Sequence, residues 1–320
     1  MLRSLLGFDW RKSQAHLLLL SNFLHPNATQ QFAKADYWKD ALGETPQQAV
    51  KRFENEGVLV TPGLPGQLEY KYKTSELQAM LKQRGLPVSG RKGDLISRLV
   101  EADPAGMKKA VAGLTLLQCS DRGQEIAKQY LAADKEKRDA AEREVLAMLR
   151  EGRLREASVL VASYEANQVF SRGINIDCKN HDPSGDVAAL KAIFGGRPKI
   201  LGRLDQGKLE PLRLATGMMH LWGTSEARSW LPTDFETGLA MDNEAAARMF
   251  LFYGSYQADM ERYRKWGIKS VQIISGSDQH QCQACRKLAG RKYKLSEVPE
   301  LPFEKCTSDL GCRCTTGGVV

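Results

Sequence analysis

Five of the seven cysteines of this 320-residue chain lie between Cys282 and Cys314. A segment of this length cannot enclose a large apolar core, so its fold needs cross-links of some kind. The leucine run at 17–20 is too short for a signal peptide or a membrane span, and we expect a cytoplasmic protein with reduced thiols and no membrane contact. In that compartment, clustered cysteines indicate a metal site rather than disulfides.

The spacing of these cysteines favours a tetrahedral Zn²⁺ site. A Cys-x2-Cys pair opens the cluster and three further thiols follow for the two remaining positions. The predicted ligands are Cys282, Cys285, Cys306 and Cys314, and Cys312 could replace either of the last two. Four thiolates leave no open coordination position, so we expect a structural zinc ion. The alternative is a set of free thiols.

The basic residues are concentrated in one segment. The formal net charge of the chain is +8, and the stretch from Lys71 to Arg98 alone contributes seven basic and two acidic residues, a local net charge of +5. Its leucines recur at helical spacing and predict two short amphipathic helices. Arg91 and Lys92 stand at the start of the second helix, where free amides and the helix dipole also attract anions. Phosphate groups suit this arrangement.

The same segment resembles the SAP domain, a helix–loop–helix DNA-binding module. The matching residues are Leu77, Leu81, Gly85-Leu86, Ser89-Gly90-Arg91-Lys92 and Leu95-Ile96-Ser97-Arg98-Leu99. Gly93 is a departure, because many members carry Ala or Glu there. Over residues 74–101 the resemblance implies binding of duplex DNA by shape, in a nucleoid-associated protein if the source is bacterial. The implied backbone contacts are Lys82, Arg91, Lys92 and Arg98. A helical hairpin used only for packing or protein contacts is the alternative.

The N-terminal residues predict a winged-helix-like segment. Helices are expected over Tyr37–Leu42 and over 45–56, where Thr45, Pro46 and Gln48 form a capping-box pattern, and a strand follows at Val58–Val60. Apolar and polar residues alternate over 67–73, which predicts a second strand after a turn at 62–66. A helical hairpin packed on a β-ribbon is the alternative.

The rest of the chain is predicted to be mostly helical. Helices are expected over 120–150, 153–170, 209–222 and 243–266, and a short strand over 271–274. Residues 174–207 are expected to be irregular because of their Pro and Gly clusters. We therefore predict a mainly α, multi-domain chain. Its predicted parts are a winged-helix-like segment at 1–73, the SAP-like module at 74–103, a helical middle at 104–266 that could contact a protein partner, and a zinc-stabilised module at 267–320.

The C-terminal module also resembles that of phage head-morphogenesis (minor capsid) proteins. The matching residues are Gly267-Ile268-Lys269, Asp278, Cys282-Gln283-Ala284-Cys285, Leu288, Gly290-Arg291-Lys292-Tyr293 and Cys312-Arg313-Cys314. The His-Pro that usually precedes the last cysteines is absent, and His280 is expected to be a surface residue rather than a ligand. This resemblance implies an alternative role as a structural, interaction-only protein of a phage particle.

Motifs of known enzyme classes are missing from the sequence. It contains no Gly-x-Ser-x-Gly, P-loop or dinucleotide fingerprint, and its five histidines are scattered. The string from Ile174 to Lys179 resembles the Asp-x-Lys half of a metal-dependent nuclease site, with Asp177 and Lys179 as the matching residues. No upstream carboxylate can be assigned, and an ordinary charged loop explains the string as well. We expect a binding protein rather than an enzyme.

Overall fold

The computed structural model describes residues 8–33, 36–171, 177–224, 226–276 and 279–319. The chain forms two compact units, Met1–Lys137 and Arg138–Val320, and the boundary falls within the helix Asp121–Arg150. The predicted mainly helical class is confirmed. Among the described helices, none combines the length and the apolar character needed to cross a membrane.

The first unit combines short helices with a small antiparallel sheet. Its described elements are α1 (Gln14–Ser21), β1 (Asn27–Ala28), α2 (Gln30–Ala33), α3 (Asp36–Leu42), α4 (Pro46–Asn55), β2 (Leu59–Val60), α5 (Leu64–Lys71), α6 (Thr74–Gln83), α7 (Lys92–Ala102), α8 (Pro104–Ala110), β3 (Leu116–Cys119) and the first part of α9 (Asp121–Arg150). Strand β3 lies between β1 and β2 and pairs with both. The capping box predicted at the start of α4 is present, with the Thr45 hydroxyl accepting from Gln48 N.

The strand predicted over 67–73 is wrong, because Leu64–Lys71 is helix α5. The residues fit both patterns: Leu64, Leu68 and Tyr72 recur every four residues, which suits a helix as well as an alternating strand. Pro65 stands in the first helical turn, where it needs no backbone N–H partner. The hairpin behind the winged-helix-like interpretation, and its β-ribbon alternative, are therefore not found here.

Helices α5 to α8 share one apolar core. Leu77 and Leu81 of α6 meet Leu95 and Leu99 of α7, and all four side chains are buried. Leu68 of α5 is also fully buried in this cluster, and α8 adds a further side chain from outside the two predicted helices. Two helices of about ten residues bury too little apolar surface to be stable alone. The flanking helices complete the core.

The second unit joins a helical bundle to a three-stranded sheet. Its described elements are the rest of α9, α10 (Leu154–Ala166), α11 (Ser184–Gly195), α12 (Leu209–Trp222), α13 (Asn243–Lys265), β4 (Ser270–Ile274), α14 (Gln283–Leu288), β5 (Lys292–Lys294) and β6 (Thr315–Val319). Strand β4 is central and runs antiparallel to β5 and β6. The predicted helices over 209–222 and 243–266 and the strand over 271–274 are confirmed to within a residue.

Helix α11 corrects the expectation that residues 174–207 are irregular. Its Ala189, Leu190 and Ile193 are buried against the neighbouring helices. The Pro and Gly clusters that suggested a loop lie at its two ends, with Pro183 as N-cap and Gly196 as C-cap. Pro and Gly residues also occur at the ends of helices, so their presence does not by itself indicate a loop. Residues 174–176 of the same stretch lie outside the described residues.

Replacing Leu68 with alanine is expected to lower the free energy of unfolding of the first unit by about 2–5 kcal/mol, because it opens a cavity in the core shared by α5 to α8. Urea denaturation followed by far-UV circular dichroism measures the change. The exposed Glu69 on the same helix supplies the control, and Glu69→Ala should stay within about 0.5 kcal/mol. Equal effects of the two substitutions would contradict the placement of Leu68.

Candidate nucleic-acid interface and metal centre

Helices α6 and α7 begin in the same way. Each has a basic N-cap residue whose backbone N–H donates to a carboxylate three positions later, Lys73 to Glu76 at 2.6 Å and Arg91 to Asp94 at 2.8 Å. Helix α6 ends at Gln83 with Arg84 as C-cap, and the next residue, Gly85, has a φ of 68°, the left-handed conformation that glycine adopts most easily. These local features explain why the segment folds as helix–loop–helix.

Two of the four predicted DNA contacts are free to meet a ligand. Lys82 on α6 and Arg91 at the N-cap of α7 are both exposed. Neither side chain forms an ion pair or a hydrogen bond with another residue that the structure describes. Their charges are therefore not neutralised within the molecule.

The other two predicted contacts, Lys92 and Arg98, are engaged with backbone carbonyls. Lys92 Nζ donates to Glu69 O of α5 at 2.6 Å. Arg98 Nη1 donates to Ser89 O at 3.2 Å and to Pro87 O, so it spans the loop between the helices. Both side chains are half-buried. These contacts stabilise the module. Because backbone carbonyls carry no net charge, the two side chains still add to its positive electrostatic potential.

A third arginine of the segment is neutralised by an ion pair. Arg84 Nη2 lies 2.7 Å from Asp103 Oδ2. The hydrogen bond from Arg84, followed by one from the backbone N–H of Gly106, holds the pKa of Asp103 below its usual value. This arginine is therefore a poorer candidate for a phosphate contact than Lys82 or Arg91, a distinction that the sequence does not show.

The five C-terminal cysteines converge. Their sulfur atoms form two overlapping groups that share Cys285, each group lying within 4.8 Å. One group adds Cys282 and Cys306, and the other adds Cys312 and Cys314. Helix α14 positions the Cys-x2-Cys pair, with Cys282 as its N-cap and Cys285 in its first turn, and the other three cysteines lie in the segment before β6.

The spacing of the sulfur atoms fits a tetrahedral metal. Cys282 Sγ is 3.7 Å from Cys306 Sγ, and Cys285 Sγ is 3.8 Å from Cys312 Sγ. Ligands about 2.3 Å from a tetrahedral Zn²⁺ lie about 3.8 Å from each other. Backbone N–H groups also point at the sulfur atoms, from Cys285 to Cys282 at 3.4 Å and from Phe303 to Cys312 at 3.2 Å. The donor set is therefore one that could hold a metal ion.

Hydrogen bonding favours thiolate at parts of this cluster. Burial alone would raise the pKa of Cys282, but hydrogen bonds from the backbone N–H groups of Cys285 and Thr307 outweigh it and lower the pKa. Hydrogen bonds from Cys285 and then Cys312 lower the pKa of Cys314 to about 3. Thiolate is the form that binds metal ions.

The four predicted ligands lie close together in the structure, and Cys312, the predicted substitute, lies beside them. Cys282, Cys285 and Cys306 lie in one group as predicted. Cys314 lies in the second group beside Cys312, so the fourth ligand is open between these two. His280 lies outside both groups, and its Nδ1 is 3.5 Å from Asp309 Oδ1.

Asp177 and Lys179 have a local structural role. Asp177 precedes the 3-10 helix Cys178–Asn180 and accepts from Lys179 N at 3.0 Å and from Asn180 Nδ2 at 2.7 Å. These hydrogen bonds, the one from Asn180 first, lower the pKa of Asp177. Among the described residues, Asp177 belongs to no cluster of possible metal ligands. The preceding residues 174–176 of the nuclease-like string lie outside the described residues.

Two of the histidines that look scattered in the sequence meet at one carboxylate. His220 Nε2 lies 3.0 Å from Asp186 Oδ1, and His181 Nε2 lies 3.1 Å from Asp186 Oδ2. The hydroxyl of the buried Ser158 donates to Asp186 at 2.6 Å and lies 2.9 Å from His181 Nε2. This is not a catalytic triad, because serine and carboxylate meet the same nitrogen of His181. No local motif joins these residues, since they come from α10, α11, α12 and a loop.

Asp186 stabilises the second unit as an anion. Burial on its own raises its pKa, but hydrogen bonds from His220 and Ser158 and the charges of both histidines lower it to about 2. A carboxylate with a lowered folded-state pKa contributes stability above its unfolded-state pKa and loses it as the pH falls towards the folded-state value. The window therefore runs from about pH 4 down to about pH 2.

Replacing Asp186 with asparagine is expected to reduce the free energy of unfolding by about 2 kcal/mol at neutral pH, the equivalent of this pKa shift. The difference from the parent protein should shrink as the pH falls from about 4 to about 2. Urea denaturation at a series of pH values measures it. Asp234→Asn, at an exposed site in the same unit, serves as control, and a constant difference across the pH range would contradict the role of Asp186.

The comparisons with known proteins bear on the helix–loop–helix. Residues 71–104 match the SAP domain family, so the resemblance predicted over 74–101 is confirmed and extends to the ends of α5 and α7. The match lends no support to the resemblance between the cysteine module and phage capsid proteins, which stays a prediction. No curated protein and no solved structure matches the chain. The chain thus contains a SAP domain, a DNA-binding type of module, at residues 71–104.

Proposed function

We propose that the chain binds duplex DNA, largely without sequence specificity, through α6, the loop 84–91 and the start of α7. The observation that carries the proposal is a pair of exposed cations, Lys82 and Arg91, that have no ion-pair or hydrogen-bond partner among the described residues and lie on a segment that matches the SAP family. Each can contact a phosphate without first breaking an ion pair. Contacts to the backbone position a protein on DNA without reading its sequence.

Lys92 and Arg98 have a supporting role in this proposal. Their contacts with backbone carbonyls hold α7 against α5 and fix the loop 87–89. An arginine has five N–H donors, so Arg98 retains donors for a phosphate after its carbonyl contacts. We infer that Lys82 and Arg91 form the primary contacts and that Lys92 and Arg98 set the shape of the surface.

Replacing both primary contacts, as Lys82→Gln/Arg91→Gln, is expected to weaken DNA binding about tenfold or more at low salt, because two charge-assisted phosphate contacts are lost. Fluorescence anisotropy of a labelled AT-rich duplex with the full chain, at salt concentrations from about 0.05 to about 0.2 M, measures both affinity and its salt dependence. The slope of log K against log salt should fall in magnitude by about 2.

The matched control removes the same charge elsewhere on the first unit. Lys39 and Lys51 are exposed on α3 and α4, and Lys39→Gln/Lys51→Gln should leave affinity and salt slope nearly unchanged. Equal losses in the two double variants would mean that net charge rather than this surface governs binding. A full chain that does not bind the duplex would refute the proposal and favour the interaction-only alternative.

We propose further that the cysteine cluster holds one structural Zn²⁺. Cys282, Cys285 and Cys306 would be three of the ligands and Cys314 the fourth, with Cys312 competing for the fourth position. The sulfur–sulfur distances and the N–H groups directed at sulfur support this. A thiolate site of this kind would supply stability that the short elements around it cannot generate by packing alone.

Metal analysis of purified protein is expected to find one zinc per chain. Cys282→Ser, Cys285→Ser and Cys306→Ser should each lower the zinc content and the melting temperature, because each removes a ligand. Only one of Cys312→Ser and Cys314→Ser should do so, which identifies the fourth ligand. Cys178→Ser, outside the cluster, is the control. Zinc-free protein with an unchanged melting temperature in all variants would show that the thiols are free.

A further inference from the structure

A cavity of about 440 Å³ lies between the end of α12 and the middle of α13. Its walls include His220 and Thr224 on one side and Arg248, Phe252 and Ser255 on the other. Among the residues that the structure describes, the walls of this cavity include no acidic side chain. The cavity is open to solvent on one side, and its volume is in the range of small-molecule sites and large enough for a ligand the size of a nucleotide.

Arg248 supplies an uncompensated positive charge to this cavity. Its side chain is half-buried, yet it forms no ion pair or hydrogen bond with the residues that the structure describes. Withdrawing a guanidinium from water without a partner is unfavourable, and an anion in the cavity would relieve that cost. Its planar fork of donors suits two oxygens of a phosphate or carboxylate.

His220 is oriented towards the same cavity by Asp186. An ionised carboxylate can only accept, so the 3.0 Å contact requires Nε2 of His220 to donate. Nδ1 is then the ring nitrogen left for a ligand, and the side chain keeps 18% of its exposure. A phosphate monoester has both P–O⁻ and P–OH groups near neutral pH, so it can accept from or donate to Nδ1. A carboxylate offers only acceptors.

The remaining walls suit an organic group attached to the anion. Thr224 Oγ1 accepts from Glu226 N at 3.2 Å, which leaves its own hydroxyl proton as a third donor. Leu251 and Phe252 form an apolar side of the cavity, and an aromatic ring offers a stacking surface to a base. The combination favours a phosphorylated ligand with an aromatic part over a free inorganic anion.

The adjoining cavity shows why Arg248 is the distinctive residue. That cavity, of about 570 Å³, shares His220 with the first but is also lined by Arg262 and Lys265. Both cations are neutralised on their own helix, Arg262 by Asp259 and Lys265 by Glu261 at 2.8 Å. An anion there would meet paired charges, whereas at Arg248 it meets a free one.

We propose that the second unit binds an organic phosphate monoester of nucleotide size in the cavity between α12 and α13. Arg248 would hold two phosphate oxygens, His220 a third through Nδ1, and the ring of the ligand would lie on Phe252. The site is separate from the DNA-binding surface and does not depend on it.

Isothermal titration of the full chain with adenosine monophosphate tests the proposal. We expect one site, and we expect Arg248→Gln to weaken binding about tenfold or more because charge-assisted hydrogen bonds are lost. Adenosine without phosphate should bind at least about tenfold more weakly for the same reason. Arg264→Gln, at an exposed arginine on the same helix, should bind like the parent protein. The Lys82→Gln/Arg91→Gln variant should also bind normally, which separates this site from DNA binding.

A second measurement needs no substitution. Carbethoxylation of His220, followed by peptide mass spectrometry on the parent protein, should be slowed by adenosine monophosphate, while that of His280 should not. The proposal is overturned if the full chain does not bind the nucleotide, or if adenosine binds equally well. It is also overturned if Arg248→Gln and Arg264→Gln have the same effect, or if His220 is not protected.

Discussion

The cluster of sulfur atoms anchors the C-terminal elements to the helical core of the second unit. Cys285, Cys312 and Cys314 are buried in the same apolar cluster as Phe250 of α13. The backbone N–H of Cys312 also donates to the sulfur of Met249 at 3.1 Å, which ties the loop before β6 to that helix. The strands β4 to β6 are only three to five residues long, and the buried Val271 and Ile273 of β4 belong to apolar clusters that include residues of α13. Their position therefore depends on the sulfur centre and on α13.

In the first unit, the position of the exposed cations likewise depends on a few structural contacts. The helix–loop–helix presents Lys82 from α6 and Arg91 from the end of the loop between the helices. Arg98 holds the loop between the helices by donating to the backbone carbonyl of Ser89. Helix α5 completes the apolar core with the buried Leu68. A surface fixed before binding loses less conformational entropy when it meets a ligand. In the proposed complex, structural residues of the module would thus contribute to binding without touching the DNA.

The parts that sequence alone could predict are those with a strong local signal. Helices α12 and α13 follow from apolar periodicity and caps, and the SAP module follows from a specific string of residues. Helix α5 could not be predicted, because the spacing of Leu64, Leu68 and Tyr72 fits both a strand and a helix. Only burial of Leu68 against α6 and α7 decides between them. Tertiary packing of this kind commonly overrides local pattern.

The candidate sites also include features that the sequence predicts and features that it does not. Cysteines that cluster in the sequence also cluster in space, so the candidate metal site could be predicted from their spacing. His220 and Asp186 are 34 residues apart in the sequence, and no sequence motif around either residue predicts their contact. The sequence also does not show which charges are paired: Arg84 forms an ion pair with Asp103, whereas Arg91 has no such partner in the part of the chain that the structure describes.

That distinction between paired and unpaired cations connects the two proposed sites. A paired arginine must break an ion pair before it can bind an anion, so it gains little from the exchange. An unpaired one gains the whole interaction, less the cost of leaving water. Arg91 is an unpaired arginine of this kind at the surface, where a long polyanion such as DNA can reach it. Arg248 is another, in a cavity between two helices, whose volume suits a small organic anion. We therefore expect the two proposed sites to differ in the phosphates they bind because of access rather than charge.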